Sequence, residues 1–415
     1  MNFKLTKLEK YWILYDVGNS AFILLVTTIV PIYFNSLAGS AGLSDVQYLA
    51  YWGYAASVAT LLVAVSGPIF GTIADNKGYK KILFLASILI GVIGCMVLGF
   101  LPDWFIFIIV FVIAKYGFSL SLVFYDAMLI DVTTEERMDN VSSQGYAWGY
   151  IGSCIPFVGC LVLVLAGEKI GISTGLGMIL SFILVGLWWI GASLPLLKNY
   201  EQKYYVEKKK GAVAESFVRL GQLFGEIKGD KKVFLFLLAY FFYIDGVQTI
   251  IDMATAFGTA VGLDTTGLLL ALLVTQIVAF PCSIIFGRLS QKYDTARLIT
   301  IAIIGYTIIA IYALTLHQQF QFWILAVAVG MFQGGIQALS RSYYARIIPG
   351  ERSGEYFGLL DICGKGAAFL GTTLVSLGTQ LTGDVNKGIS MIAIMFVIGL
   401  VLFRKAAGLN RAQSM

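Results

Sequence analysis

The chain is short of the residues that soluble proteins show to water: charged side chains make up 13% of its 415 residues, against 58% apolar ones. So little polar material cannot cover the two or three soluble domains that the length would otherwise suggest. Histidine is nearly absent, with His317 the only one, and no P-loop, nucleotide-binding fingerprint or metal-ligand cluster occurs. These gaps argue against an enzyme and against a bound metal or cofactor. The five cysteines, Cys95, Cys154, Cys160, Cys282 and Cys363, all lie inside apolar runs, where neither a disulfide framework nor a thiolate metal site is expected. The net charge of +5 forms no continuous patch, so no nucleic-acid partner is expected.

What the chain has in abundance is apolar runs of about 20 residues, the length that crosses a hydrocarbon core as helix. They fall near 11–38, 47–73, 81–101, 104–129, 143–166 and 174–197, then near 231–257, 265–289, 296–316, 320–346, 354–379 and 388–407. The first is longer than a signal-peptide core and carries Asp16, so it reads as a retained first helix. A long connector, 198–230, separates residues 1–197 from 231–415, and within it Val213, Phe217, Leu220, Phe224 and Ile227 recur at the spacing of an amphipathic interfacial helix. The fold class is thus an all-α membrane protein of twelve transmembrane helices. Of the 29 lysines and arginines, all but Lys115 and Lys365 inside spans and Lys169 and Lys387 in outer connectors belong to one side. That bias puts both termini and the central connector in the cytoplasm, with His317 outside; the plasma (inner) membrane is the expected location.

The two sets of six helices look like a duplication. Asp16, Asn19 and Ser20 in helix one match Asp245, Gln248 and Thr249 in helix seven: acid, amide and hydroxyl at i, i+3 and i+4. Asp131 to Arg137 aligns with Arg346 to Arg352, and Phe70-Gly71 with Phe286-Gly287. The connector after helix two reads Gly71-Thr-Ile-Ala-Asp75-Asn-Lys77-Gly78-Tyr-Lys80-Lys81. Gly71 permits close helix approach, Gly78 a tight turn, and Asp75 can accept hydrogen bonds from a helix N-terminus. The second copy, from Gly287 to Arg297, has Gln291 where the acid would stand.

This connector resembles the loop signature of the major facilitator superfamily. Tyr15-Asp16 through Phe22, Phe124-Tyr125 with Glu135-Glu136-Arg137, Asp245-Gly246-Val247, and Gln333 through Ser342 are similar to the bacterial "unknown major facilitator" family, related to the fungal vacuolar amino-acid effluxer of autophagy. The resemblance covers nearly the whole chain. It implies two pseudo-symmetric six-helix halves working by alternating access, a functional monomer that carries a small-molecule solute with protons or another coupling ion. Asp126 and Asp361 depart from that pattern.

Ionisable residues inside spans cost roughly 2.5–3.5 kcal/mol each at mid-helix and so tend to face a cavity or a partner. The stripes Asp16, Asn19, Ser20 and Asp245, Gln248, Thr249, Asp252 are expected to line a central pathway, with Lys115, Gln333, Gln337 and Lys365. Asp361 and Lys365, at i, i+4, also suit a self-contained ion pair. Gly145, Gly149 and Gly152 in helix five read as packing positions. With no histidine in the membrane, Asp16 and Asp245 are the proton-coupling candidates. The expected gate comprises Gly71, Asp75, Lys77, Gly78, Lys80 and Lys81, with Asp126 and Asp131 facing Arg341 and Arg346 across the halves. An amino-acid-like zwitterion is the expected solute, its ammonium at Asp16 or Asp245 and its carboxylate at Lys115 or Lys365. Export of an amphiphile and a receptor without transport are the alternatives.

Overall fold

A computed structural model describes residues 4–165, 167–207, 222–223, 225–260 and 265–413. The expected amphipathic helix of the central connector lies almost wholly outside them. The long helices are α1 (Lys7–Ser40), α2 (Asp45–Ala74), α3 (Tyr79–Leu98), α4 (Trp104–Ala127), α5 (Met138–Leu165), α6 (Thr174–Asn199), α7 (Lys231–Ala260), α8 (Thr265–Leu289), α9 (Thr295–Tyr312), α10 (Gln319–Ile347), α11 (Ser353–Thr382) and α12 (Ile392–Gln413). Eleven helices are long and apolar enough to cross a membrane among the described residues; α11, which carries Asp361 and Lys365, is equally long but is not among them.

Local chemistry starts these helices where the sequence changes from polar to apolar. Thr6 and Glu9 form a capping box at α1, Ser44 and Gln47 another at α2, and Asp103 caps α4 through the amides of Phe105 and Ile106. Between α2 and α3 the chain reverses at Gly78, whose φ of 82° suits a residue without Cβ.

Each half ties its first helix to its fourth in the same way. The Tyr15 hydroxyl of α1 meets Ser121 of α4 at 2.6 Å, and that of Tyr243 in α7 meets Ser340 in α10 at 2.7 Å. The halves touch through α2 against α11, and through α5 against α8 and α10. Both contacts are built on glycine. A Cβ on Gly354 would stand 2.5 Å from the Gly71 carbonyl oxygen, and one on Gly287 would stand 2.7 Å from Ser143 Cβ. Within the first half, Gly145, Gly149 and Gly152 open the face of α5 to Asp16, Ser20 and Val17 of α1.

These contacts gather at the end of the bundle where α1 starts and α12 finishes, called here the terminal end. Toward the other end the halves part. Ile23 and Thr27, on the same stripe of α1 as Asp16 and Ser20, are exposed.

Candidate functional site

At the floor of the opening, Arg341 of α10 crosses from one half to the other. Its guanidinium is buried and pairs with Asp126 of α4 at 2.9 Å, donates to the Ser142 hydroxyl and carbonyl of α5 at 2.9 and 3.0 Å, and lies 4.0 Å from Asp16. Three rings surround it: Tyr146 at 4.4 Å, Trp12 at 4.6 Å and Tyr125 at 5.5 Å to their centroids. Desolvated cation–ring contacts of this kind strengthen with burial. Asp16 is the poorly satisfied member. Its Oδ1 accepts only a long 3.4 Å bond from Asn19, and its buried Oδ2 has no hydrogen-bond partner.

The other expected cavity residues are distributed unevenly. Ser20 and Gln337 are half-buried near this floor, Gln337 one turn before Arg341 on α10. Gln333 is buried beside Tyr150 of the first half. Lys115 lies on the same face of α4 as Asp126, about 16 Å farther from the terminal end, with Phe111 below it. Asp361 of α11 is an electrostatic neighbour of Asp126, which brings the two departures from the family pattern together.

The stripe of α7 behaves differently from that of α1. Asp245 and Thr249 are fully buried and packed on α11 at Gly371, inside the second half, and Asp245 Oδ2 has no hydrogen-bond partner. The expectation of two equivalent stripes lining one pathway is corrected here. α11 covers Asp245, whereas Asp16 faces the other half. Gln248 is half-buried. The side chains of Asp252 and Lys365 lie outside the described ones, so the suggested Asp361–Lys365 pair does too.

The terminal end is closed by two related clusters. In the first, Lys80 is fully buried, pairs with Asp131 at 3.3 Å and donates to Ser353 of the other half at 2.8 Å. Asp131 also accepts from Tyr200 and from the amides of Lys203 and Tyr204. In the second, Arg346, the repeat equivalent of Asp131, joins Thr295 at 2.9 Å, and both reach Asp139 of the first half, Arg346 at 2.8 Å. Ser342 also donates to Asp139. The expected pairing of Asp131 with Arg346 is therefore corrected: the two occupy separate clusters, because Lys80 and the start of the central connector already fill the coordination of Asp131. Arg137 pairs with Glu9 of α1 at 2.6 Å.

Asp75 joins the halves through backbone. Its carboxylate accepts from the amides of Gly354 at 2.7 Å and Glu355 at 2.9 Å, the first turn of α11. Among the described residues no carboxylate performs this service for α5 from the other side, where Gln291 is exposed. Lys77 lies over the ring of Tyr205 at 4.9 Å, and Lys81 reaches the Tyr200 carbonyl. Sequence reasoning passed over Asp139, Ser142, Thr295, Ser342 and Tyr200. Asp139, Ser142 and Thr295 sit at helix starts and read as caps, and only the packing of distant segments gives the five their partners.

Three comparisons bear on this arrangement. Residues 41–413 match the family model described as vacuole effluxer Atg22 like. The chain belongs to this family. Among its relatives, the uncharacterized MFS-type transporter YxiO of Bacillus subtilis is 42% identical over 404 residues, 96% of this chain and 94% of that one. Autophagy-related protein 22 of Coccidioides immitis is 24% identical over 295 residues, so the chain spans about half the length (48%) of that fungal member. The fold is that of the fucose transporter FucP in an outward conformation, with TM-score 0.70, 11% identity, and 96% and 97% of the two chains covered. A bacterial ferroportin homologue in an outward-facing state gives 0.69 at 14% identity, over 97% and 98%. This member of the Atg22-like family is an integral membrane protein and an MFS-type transporter of twelve helices in two pseudo-symmetric halves.

Burial pushes the Asp75 carboxyl up to about 7, against the downward pull of Lys80 and the two amides. If the halves part at this end, the carboxyl is solvated and titrates near 4, at about its ordinary value. Closing therefore takes up a proton between about pH 4 and pH 7, and closure is favoured as pH falls through that window. Cysteine accessibility at the terminal end should decrease from pH 7 to pH 5 in the wild type and stay flat in Asp75→Asn. An unchanged pH dependence in that variant removes Asp75 from the effect.

Proposed function

We propose that this protein moves a small polar, zwitterionic solute of the amino-acid type by alternating access, coupled to protons. The observation that carries the proposal is the buried Oδ2 of Asp16, which has no hydrogen-bond partner and stands 4.0 Å from Arg341. An ammonium group or a proton would supply what that oxygen lacks. Lys115, on the opening side of the same space, suits a carboxylate. Binding at Asp16 would weaken its hold on Arg341 and so act on the one guanidinium that bridges the floor, which links occupancy to the contact between halves.

Asp245 is the second coupling candidate, supported by its complete burial with an unpartnered oxygen. In proteoliposomes, Asp16→Asn and Asp245→Asn should each abolish gradient-driven accumulation of the solute while sparing counterflow exchange. Unchanged pH dependence in both would exclude them as proton carriers. If a screen of zwitterions gives neither uptake nor thermal stabilisation while an amphiphile gives both, the solute class proposed here is wrong and amphiphile export replaces it.

The terminal end faces the cytoplasm in this reading, as the lysine and arginine bias supports. A cysteine at exposed Glu201 should then react only from the cytoplasmic side and one at exposed His317 only from outside. The reverse pattern would overturn the orientation.

A further inference from the structure

The second half holds a cavity set among its own helices. It lies among α7, α8, α9 and α10, walled by residues such as Ile250, Leu272, Ala310, Phe322 and Val329, and holds about 730 Å³ of empty space, part of it open to solvent. Among its described lining residues none is charged, and the polar ones are Thr275, Gln276 and Gln333.

Each polar group has a different status. The Thr275 hydroxyl is used by the carbonyls of Ala271 and Ala326, at 3.0 and 3.1 Å. Gln333 stands at the edge that adjoins Tyr150. Gln276 Oε1 is buried in the cavity wall and has no hydrogen-bond partner. An amide oxygen left so is destabilising. Among the described lining residues a charged group would find no counter-charge.

We propose that this cavity is a binding subsite for an uncharged apolar group bearing a single hydrogen-bond donor, of the phenol or indole type, with Gln276 as its acceptor. The donor meets Oε1, and the ring fills the space between the Ile, Leu and Val side chains. A purely aliphatic group leaves the oxygen unmet, and a group with several donors leaves some of its own unmet. Occupation requires neither Asp16 nor a gradient, so it is read on the purified protein apart from transport.

The experiment measures binding and thermal stabilisation of the full chain in detergent by p-cresol, indole, toluene and the acceptor-only acetophenone. p-Cresol and indole should bind more tightly than acetophenone. In Gln276→Leu the ratio of p-cresol to toluene affinity should fall by about fivefold, the worth of one net hydrogen bond. Ala326→Phe, which fills the cavity, should abolish binding of all four, and Gln276→Met provides a second neutral replacement where the leucine variant fails to fold. An affinity ratio that is the same with and without the amide overturns the proposal, as does a preference for acetophenone or binding that survives Ala326→Phe. None of these outcomes touches the solute reading at Asp16, which stands or falls on uptake.

Discussion

Replacing Gly71 with valine should abolish transport, lowering it by at least about a hundredfold, and leave the terminal end permanently reactive. A side chain on Gly71 collides with the Gly354 carbonyl and the Glu355 amide, and the reciprocal Cβ on Gly354 meets the Gly71 carbonyl oxygen at 2.5 Å. These are backbone atoms of the first turn of α11, which cannot rotate away as a flexible side chain would. They can separate only if α2 and α11 separate, and that undoes the Asp75 cap as well. The cost falls on one conformational state rather than on folding, because α2 and α11 belong to different halves. Gly78→Ala is the informative comparison. Nothing lies within 4 Å of its Cβ position, and its φ of 82° adds strain of about 1 kcal/mol. It should lower thermal stability slightly and keep transport. The pair of results is read by solute uptake and by labelling of a cysteine at Ser143, which is buried between α5 and α8. Wild-type uptake in Gly71→Val would mean that this contact never has to form during the cycle.

The second large effect is expected at Arg341. Removing one member of a buried, hydrogen-bonded ion pair costs about 3–5 kcal/mol, since the other charge is left without compensation. The Asp126 side chain retains 27% of its exposure, so about 2 kcal/mol is the better figure for this pair. That amounts to a shift of about thirtyfold toward the form open at the terminal end. Arg341→Gln should therefore expose a cysteine at Ser143 to labelling. Asp126→Asn should do less, because Arg341 keeps Asp16 at 4.0 Å and Ser142. The double variant should recover much of the closed population, as both buried charges are then gone. Additive effects of the two substitutions would show that the pair does not act as a unit across the halves. Thermal stability separates this outcome from simple unfolding, since an open but folded transporter keeps a cooperative melting transition.

The fold was legible because its driving force is written locally. Twelve apolar stretches of spanning length, polar caps such as Thr6 and Ser44, and the Gly71–Lys81 connector each act within a few tens of residues, and the first and second halves repeat one another in order. Asp75 could be read as a helix-cap acceptor from the same connector, since an acid beside a turn glycine at a helix end has few other uses. The site was legible in composition and less so in partnership. Asp16, Asp126 and Arg341 stood out as charges in apolar surroundings, whereas Trp12, Tyr125 and Tyr146, which surround Arg341, look in sequence like any membrane aromatic.

The sequence by itself determined that the chain spans a membrane many times, that it is duplicated, and which charges are too costly to face lipid. These follow from hydropathy and spacing, which are properties of one helix at a time. Only the tertiary structure decided that Asp131 belongs with Lys80 and Tyr200 while Arg346 belongs with Asp139 and Thr295, and that Asp245 faces α11 while Asp16 faces the other half. A buried charge takes whichever partner the packing brings within about 3 Å, because attraction in a low-dielectric interior rewards the nearest counter-charge steeply. That choice is made by residues as much as 207 positions apart, as Asp139 and Arg346 are, meeting across two halves, and no periodicity along a single helix records it.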